Sequence, residues 1–336
     1  MSNTQQIFIL GNSRSGTTMM GRLLSKNQDI HTLNELHFFG VLCSSEECGE
    51  VLDMTSSIKL LDRLFYIEEH GIFKRGRSKD SKLAASLLVS QDEYTPLQIF
   101  HIFLNYIANN KNTGIVCEQT PNNILYIQEI LEFFPGARII NMIRDPRDIM
   151  LSQKNKWRRR YLGSSSIPFR ESLRSYFNYH PIVISKIWNT SIVNASKFRH
   201  HPRFKTIYFE EVLFRPEETI SDICKFLNIE FSDKMLDISN IGSSTSIDSD
   251  NSVGLDKNKV GKWKKRGLSN SEIYICQKIC MKNMRRHNYI LRQFKFIPFP
   301  IIISFFTLPL KILISLFFNM HRIRNIKEVL FKRILN

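Results

Sequence analysis

Cysteine is scarce in this sequence, and the cysteines present lack the spacing of a metal site. The 336 residues include six cysteines, of which the closest pairs are Cys43 with Cys48 and Cys276 with Cys280. Neither pair has zinc-ribbon or thioredoxin spacing. We also expect no secretory leader, because an apolar run typical of a first strand begins at Ile7. We therefore expect a reducing, cytoplasmic setting and no N-terminal membrane anchor.

Acidic residues are nearly absent from the last part of the chain. From Lys257 onward there are 18 lysines and arginines and two acids, so this part carries the whole formal charge of +16. The residues before it are close to neutral. A basic body would favour nucleic acid or heparin as a partner, whereas a basic tail favours a membrane surface. We therefore expect a membrane partner and no nucleic acid.

A long apolar run without helix breakers is missing as well, although one stretch comes close. Residues 294–318 are strongly apolar, but they are broken by Pro298, Pro300, Pro309 and the charged Lys311. A spanning helix needs about 20 apolar residues in succession. Residues 320–336 then have the pattern of a basic amphipathic helix. We expect residues 293–336 to be a tail that lies on or re-enters an anionic membrane; a hairpin buried against the domain is the alternative.

One stretch near the start organises the rest of the chain. Residues 7–10 form a short, bulky apolar run, which is typical of a strand buried on both faces. The turn of residues 11–15 follows at once, and a helical pattern begins at Gly16. A strand, a glycine-containing turn and a helix in this order point backbone N–H groups and a helix N-terminus at an anion.

This stretch nearly has Walker A spacing but lacks the Walker lysine. Gly11 and Gly16 fit the pattern, and Thr17 stands where the lysine would hold the β- and γ-phosphates. The missing lysine argues against ATP or GTP, and so against a P-loop kinase. Arg14 lies inside the turn instead, and its guanidinium matches a pair of phosphate or sulfate oxygens. We predict a shorter anion than a triphosphate, bound without an obligatory metal.

Apolar strand patterns alternate with helical patterns along the chain. This alternation predicts an α/β fold with a parallel sheet between layers of helices. Residues 54–110 have helical periodicity and predict a helical insertion, while residues 242–258 predict a loop rich in Ser, Asp and Asn. Beyond the first strand, we predict a strand that leads into a loop over residues 29–36, strands at 114–119, 137–143 and 205–211, and helices at 122–134 and 216–227.

Arg144 and Ser152 form the second candidate anion site. Arg144 directly follows a predicted buried strand, at the sheet edge where open α/β sheets bind ligands. Ser152 follows about two turns into the next predicted helix, so both side chains can reach one phosphate. An arginine that caps the strand and a serine that faces solvent are the alternative.

These motifs resemble those of a known family. The segment GNSRSGTT and the R-D-x-R…S pattern at 144–152 resemble the phosphate-binding motifs of sulfotransferases that use 3′-phosphoadenosine 5′-phosphosulfate (PAPS). The similarity is to the branch of tyrosylprotein sulfotransferases and bacterial sulfotransferase-domain proteins. Residues 208–216 and 260–264 also resemble family segments. The resemblance implies a sulfotransferase fold over residues 1–292, a P-loop-like parallel β-sheet flanked by helices.

The resemblance implies a binding site for PAPS as sulfuryl donor. The first loop would hold the 5′-phosphosulfate, and Arg144 with Ser152 would hold the 3′-phosphate, which ATP lacks. Lys257 and Lys259 would add to the 3′-phosphate site, or else are solvated lysines of the basic tail. The implied cofactor-binding residues are Asn12, Ser13, Arg14, Ser15, Gly16, Thr17, Thr18, Arg144, Ser152, Tyr208, Lys257 and Lys259.

Sulfuryl transfer to a hydroxyl also needs a base, because the acceptor loses its proton as the new bond forms. Glu35 lies in the loop after the second predicted strand, and its spacing from Arg14 resembles that of the family's glutamate base. His37 is the competing candidate, since another branch of the family uses histidine. The candidate catalytic residues are therefore Glu35, Arg14 and His37.

Gln119 departs from the family pattern. Many relatives have a lysine here, before Thr-Pro or Asp-Pro, and that lysine stabilises charge on the leaving phosphate or the sulfuryl group. Glutamine donates a hydrogen bond but carries no charge. Either another cation substitutes, or the enzyme is slow, or the site has drifted.

We therefore expect a PAPS-dependent sulfotransferase that is peripheral to the cytoplasmic membrane. The basic, apolar tail suggests that its acceptor is a hydroxyl on a glycan or a lipid-linked saccharide. Protein-tyrosine sulfation is one alternative. A non-catalytic nucleotide-binding protein at the membrane is the other.

Overall fold

A five-stranded parallel sheet forms the centre of the computed structural model, which describes residues 4–72, 74, 76, 79–90, 92–162, 167–238, 254–320, 328 and 332. The sheet order is β2-β5-β1-β6-β7, and β3 and β4 pair separately as an antiparallel two-stranded sheet. The strands are β1 (Gln5–Gly11), β2 (Ile30–Thr32), β3 (Leu52–Asp53), β4 (Glu93–Tyr94), β5 (Ile115–Glu118), β6 (Arg138–Ile143) and β7 (Phe204–Tyr208).

Helices cover both faces of the parallel sheet, so the predicted α/β architecture is confirmed. In chain order the helices are α1 (Thr17–Leu24), α2 (Met54–His70), α3 (Lys79–Leu88), α4 (Pro96–Asn110), α5 (Ile127–Phe133), α6 (Pro146–Lys154), α7 (Phe169–Phe177), α8 (Pro181–Ser196), α9 (Phe209–Phe214), α10 (Pro216–Leu227), α11 (Asn270–Arg286) and α12 (Ile301–Asn319).

Strand β1 separates two hydrophobic layers, because successive side chains of a strand point to opposite faces. Phe8 and Leu10 enter the layer that contains α4 and α5, whereas Ile7 and Ile9 enter the layer that contains α1 and α10. All four side chains are fully buried. Burying each one stabilises the fold by about 1.5–3 kcal/mol relative to exposure. Burial on both faces of the sheet therefore explains the continuous apolar run that predicted this strand.

Several elements are shorter than the sequence predicts. The strand predicted within residues 29–36 ends at Thr32, because the chain leaves the sheet after Leu33, whose N–H donates to the Cys117 carbonyl at 2.8 Å. The strand predicted at 205–211 ends at Tyr208, where α9 takes over. The helix predicted at 122–134 is divided by Tyr126 into a 3₁₀ segment and α5. Helix α10 has the predicted bounds.

Residues 54–110 are mainly helical, as predicted, and their helices α2 and α4 contribute to the same hydrophobic layer as β1. Helix α4 begins with a capping box, in which Thr95 and Gln98 bond reciprocally and Pro96 follows the cap. The short strand β3 precedes this region and its partner β4 lies within it; the sequence did not indicate this pair.

Helix α12 is long and apolar enough to cross a membrane, by length and composition alone. Its mean hydropathy over an 18-residue window is 2.3, and none of that window is buried. The basic amphipathic helix predicted at 320–336 lies outside the described residues, except for Met320, Glu328 and Lys332. The predicted loop is described only from Gly254, and it contains a 3₁₀ segment, Lys257–Lys259.

Candidate functional site

The loop between β1 and α1, residues 11–16 and here called the anion loop, needs glycine at both ends. Gly11 has φ +146°, and a Cβ there would come 2.4 Å from the Met142 carbonyl oxygen. Gly16 has φ +99°, and a Cβ there would come 2.5 Å from the Phe209 ring. Only glycine avoids both the clash and the backbone strain. The anion loop therefore packs directly on the ends of β6 and β7.

Buried polar groups near the anion loop lack partners within the described part of the chain. Ser15 is fully buried and Asn12 is 6% exposed, yet Ser15 Oγ and Asn12 Nδ2 make no hydrogen bond there. The same holds for Nε of Arg144. Buried polar groups are normally hydrogen-bonded. Together with the N-terminus of α1, these groups fit an anionic ligand such as the phosphosulfate end of PAPS.

The two predicted anion sites are in direct contact. Arg14 adopts φ +75°, and its Nε donates to Ser152 Oγ at 2.9 Å. The Arg144 guanidinium donates from Nη1 to the Arg14 carbonyl oxygen at 3.1 Å. Arg14 is 130 positions from Arg144 and 138 positions from Ser152, yet the three residues meet at the carboxyl edge of the sheet.

Arg144 is buried among groups that hold it firmly. Its Nη2 donates to the Lys259 carbonyl oxygen at 2.7 Å, and its guanidinium carbon lies 4.1 Å from the centre of the Phe209 ring. Burial lowers the pKa of Arg144, against the opposing charges of Asp148 and Glu210. Phe209, which the sequence did not single out, therefore contacts both anion sites.

Positive charge accumulates beside Arg144. Burial lowers the pKa of Lys259, and the charges of Lys262, Arg144 and Arg22 lower it further, while Asp256 opposes them. Like charges held together favour an anion between them. The predicted Lys257 is exposed at the start of the same 3₁₀ segment.

Helix α6 fixes the segment that carries Lys259. The Asp148 carboxylate accepts hydrogen bonds from the backbone N–H groups of Gly261 at 2.7 Å and Trp263 at 3.0 Å. The Arg147 guanidinium stacks 3.8 Å from the Trp263 ring centre. Through these contacts Asp148 and Arg147 join distant parts of the chain, which sequence reasoning missed.

The two candidate bases form a pair. Glu35 Oε2 lies 3.3 Å from His37 Nε2, and the side chains keep 39% and 19% of their surface exposed. Burial raises the pKa of Glu35, but the hydrogen bond from His37 and the charges of His37, Lys156 and Arg14 outweigh it and lower the pKa overall. Glu35 is therefore ionised near neutral pH, as a general base must be.

The end of β5 holds the loop of residues 33–37, here called the Glu35 loop. Glu118 Oε1 accepts from the Leu36 N–H at 3.3 Å, and Thr120 Oγ1 accepts from the His37 N–H at 3.1 Å. Glu118 is 2% exposed, and burial raises its pKa to about 7 although hydrogen bonds from Thr120 and Leu36 oppose the rise. Glu118 is a positioning residue that the sequence analysis did not identify.

Gln119 also supports the Glu35 loop. Its Nε2 donates to the Leu33 carbonyl oxygen at 2.9 Å. A Cβ on Gly21 of α1 would come 2.7 Å from Gln119 Oε1, so the amide is wedged between α1 and the loop. Gln119 is therefore engaged in contacts within the fold.

Lys156 is a further cation that the sequence analysis missed. It begins a 3₁₀ segment, Lys156–Tyr161, directly after α6, and it interacts electrostatically with both Glu35 and Arg14. Burial lowers its pKa to about 7, and the charges of Arg174 and Arg14 contribute to that shift. Lys156 lies four residues after Ser152 in the sequence, and this spacing could have identified it as a candidate site residue.

The remaining predicted residues differ in their exposure and in their contacts. Ser13 is half-buried in the anion loop, Thr17 is buried at the first turn of α1, and Thr18 is exposed. Tyr208 lies at the carboxyl end of β7, where its hydroxyl is 2.9 Å from His287 Nδ1. In the described ranges, no group of three or more His, Cys, Asp or Glu side chains could hold a metal ion.

Comparison with solved structures supports the fold. The sulfotransferase domain from the curacin biosynthetic pathway is 19% identical, with a TM-score of 0.53 over 87% of this chain and 99% of that domain. The sulfotransferase domain from the Synechococcus PCC 7002 olefin synthase is 16% identical, with the same TM-score over 87% of this chain and 97% of that domain.

Comparison with curated sequences adds distant relatives. The protein-tyrosine sulfotransferase of Drosophila melanogaster is 23% identical over 234 residues, and protein-tyrosine sulfotransferase 1 of Danio rerio is 21% identical over 233 residues. Each match covers 68% of this chain, but only 39% and 55% of those relatives. The family model described as "Sulfotransferase family" matches residues 6–233, which include β2 to β7 and all of β1 except Gln5. The chain therefore belongs to the sulfotransferase family of enzymes.

Proposed function

We propose that this protein transfers a sulfuryl group from PAPS to a hydroxyl acceptor. The observation that carries the proposal is the contact between the two anion sites, in which Arg14 bonds Ser152 and Arg144 bonds the Arg14 backbone. One ligand with phosphate groups at both its 5′ and 3′ positions would engage both sites at once. PAPS has this arrangement, and ATP lacks the 3′-phosphate.

The chain's own groups would perform the following roles. When bound, PAPS would supply an activated sulfuryl group, and transfer to the acceptor oxygen would break the bond between that group and the 5′-phosphate. The N–H groups at the start of α1 and the Arg14 guanidinium would stabilise the negative charge that develops on that phosphate. Arg144, Ser152 and Lys259 would hold the 3′-phosphate and orient the donor. The roles proposed for Asn12, Ser13, Ser15, Thr17, Thr18, Tyr208 and Lys257 are those of cofactor contacts.

Glu35 would take the acceptor proton. Its lowered pKa keeps it ionised, and the Glu118–Thr120 contacts fix the loop that carries it. His37, 3.3 Å away, would then orient Glu35 and share its charge rather than act as the base itself. Lys156, whose pKa is lowered to about 7, would become a full cation near Glu35 and Arg14 when an anionic donor binds, in place of the charge that Gln119 lacks.

The acceptor we propose is a hydroxyl on a glycan or lipid-linked saccharide, met by an enzyme peripheral to the cytoplasmic membrane. The exposed apolar helix α12 and the positive charge beyond residue 256 support this choice. A protein tyrosine is the second candidate, because two curated relatives are named protein-tyrosine sulfotransferases. A non-catalytic, nucleotide-binding role is the third candidate, because Gln119 brings no positive charge to the site.

The test is transfer of label from [³⁵S]PAPS by the purified full-length protein. We expect label in the lipid-soluble fraction of a membrane extract. Label in protein that resists delipidation, and is recovered as sulfotyrosine, would favour the second candidate. Nucleotide binding without any transfer would contradict the enzymatic proposal.

A further inference from the structure

Helix α12 turns its polar residues toward the domain and its apolar residues outward. The polar residues recur every three or four positions and so share one face; they are Ser304, Thr307, Lys311, Ser315 and Asn319. The opposite face consists of large apolar side chains that are 61–81% exposed; they are Phe306, Leu310, Leu313 and Phe317. This orientation is the reverse of that of an ordinary surface helix.

The polar face bonds to α7 and to the junction between α7 and α8. Asn178 Oδ1 accepts from Ser315 Oγ and from Asn319 Nδ2, each at 2.8 Å. Arg174 Nη1 donates to Asn319 Oδ1 at 2.8 Å, and near the other end of α12 His180 Nε2 lies 3.0 Å from the Ser304 carbonyl oxygen. These contacts extend along about 22 Å of helix.

Aromatic and cationic contacts reinforce this attachment. The Phe177 and Phe318 rings stack with centroids 5.4 Å apart and an interplanar angle of 11°. Lys311 Nζ lies 4.8 Å from the centre of the Tyr176 ring. A helix held along its length in this way would cross a bilayer only if α7 entered the hydrocarbon with it. Helix α7 carries the Arg174–Glu171 ion pair, which makes that entry costly.

A basic and aromatic segment adjoins the same helices. Trp157, in the segment Lys156–Tyr161, packs edge-on against Tyr176 with ring centroids 6.0 Å apart. The segment contains Arg158, Arg159 and Arg160, and its last residue, Tyr161, is 60% exposed. Tyrosine and arginine side chains are suited to the boundary between lipid and water, where an apolar stem meets a polar end.

We propose that α7, α12 and the segment Lys156–Tyr161 form one lipid-facing surface, in which α12 lies in the plane of an anionic membrane. Anionic headgroups complement the arginines, whereas a second copy of this chain would bring the same positive charges opposite them. The proposal rests on the proposed function only for the association with a membrane. It adds which surface of the protein faces the lipid and how α12 is oriented. Because the segment follows α6, whose Ser152 bonds Arg14, this surface would bring a lipid-borne acceptor toward the site.

Depth of labels in vesicles tests the orientation of α12. All six native cysteines are buried, so single cysteines introduced at Phe306, Leu313 or Phe317 can be labelled selectively with a nitrobenzoxadiazole fluorophore. We expect brominated lipids in phosphatidylglycerol-containing vesicles to quench all three labels to the same depth. A label at Ser315, which faces Asn178, is the matched control and should be quenched far less.

Two results would overturn the proposal. A spanning helix would separate the depths of labels at 306 and 317 by about 16 Å. A second copy on this face would leave all labels unquenched and double the mass in sedimentation equilibrium. Equal depths for all three outward labels support the in-plane helix.

Charge substitution tests the basic segment independently. Arg158→Gln should weaken binding to phosphatidylglycerol vesicles about fivefold, since each basic residue near an anionic surface contributes about this much. Lys225→Gln, an exposed position on α10, makes the same change of charge and should have no effect. Equal effects of the two variants would contradict the proposed surface. Binding of 3′-phosphoadenosine 5′-phosphate, measured in parallel, should be unchanged, so a failure of the donor proposal would be seen separately.

Discussion

The anion loop and helix α12 depart from ordinary protein chemistry in opposite directions. Around the loop, Ser15 Oγ, Asn12 Nδ2 and Arg144 Nε are buried and lack partners in the described residues. Along α12, apolar side chains such as Phe306 are exposed while the polar residues face the protein. A buried polar group without a partner and a large exposed apolar face are both costly. We propose that an anion satisfies the first and that lipid covers the second, so that each region indicates its own ligand.

The largest expected effect is on turnover, and it concerns Glu35 of the Glu35 loop. Glu35→Gln should lower kcat by roughly 10²–10⁴-fold, because the amide cannot accept the acceptor proton. Affinity for 3′-phosphoadenosine 5′-phosphate should persist, since Glu35 is proposed to contact the acceptor and not the donor. Steady-state transfer kinetics and calorimetry would separate these two properties.

His37→Gln is the control for that prediction. If His37 only orients and shares charge with Glu35, its loss should lower kcat less than the loss of Glu35. A His37 variant without activity beside a Glu35→Gln variant with full activity would reverse the assignment.

A second effect concerns stability of the anion loop. Gly16→Ala should lower the free energy of unfolding by about 1–3 kcal/mol, because the new Cβ meets Phe209 and the backbone has φ +99°. Gly136→Ala has no atom within 4 Å of its Cβ and no positive φ, so it should be nearly neutral. Urea denaturation of both variants measures the difference. Equal stability of the two would show that the loop is not held against Phe209.

A third effect, no larger than the upper end of the range expected for Gly16→Ala, concerns the dependence of stability on pH. Burial raises the pKa of Glu118 to about 7 from 4.5, so the folded protein binds this proton more tightly than the unfolded chain. Stability from this group is therefore present at low pH and is lost as pH rises toward and through 7. Glu210, whose pKa burial also raises to about 7, contributes in the same direction.

Glu118→Gln isolates the contribution of Glu118. The difference in unfolding free energy between parent and variant should decrease between pH 5 and pH 8, by an amount on the order of 2 kcal/mol. The contribution of Glu210 cancels in that difference. A difference independent of pH would contradict the raised pKa.

The sequence predicted those features that depend on neighbouring residues. The doubly buried strand β1 leaves a continuous apolar run, and the tight turn after it requires Gly11 and Gly16. Helix α10 begins at Pro216 and ends at Leu227, with Asn228 in the left-handed conformation as its cap, and both signals are local.

Features that depend on distant contacts could not be predicted. The sequence does not show where the strand within residues 29–36 ends, because residues 33–36 leave the sheet to bond with Glu118, which is 82 positions from Leu36. The spacing of the polar residues in α12 is readable in the sequence, yet the direction of that face depends on Asn178 and Arg174. Lys156 acquires its place beside Glu35 only through the fold.

The central claim is that one ligand with a 3′-phosphate joins the two anion sites. Calorimetric titration with 3′-phosphoadenosine 5′-phosphate and with AMP tests it most directly, because the two nucleotides differ only in that phosphate. We expect the former to bind more tightly by about 1.5–3 kcal/mol, and we expect Arg144→Gln to remove most of that preference. Equal affinity of the parent protein for the two nucleotides would contradict the claim.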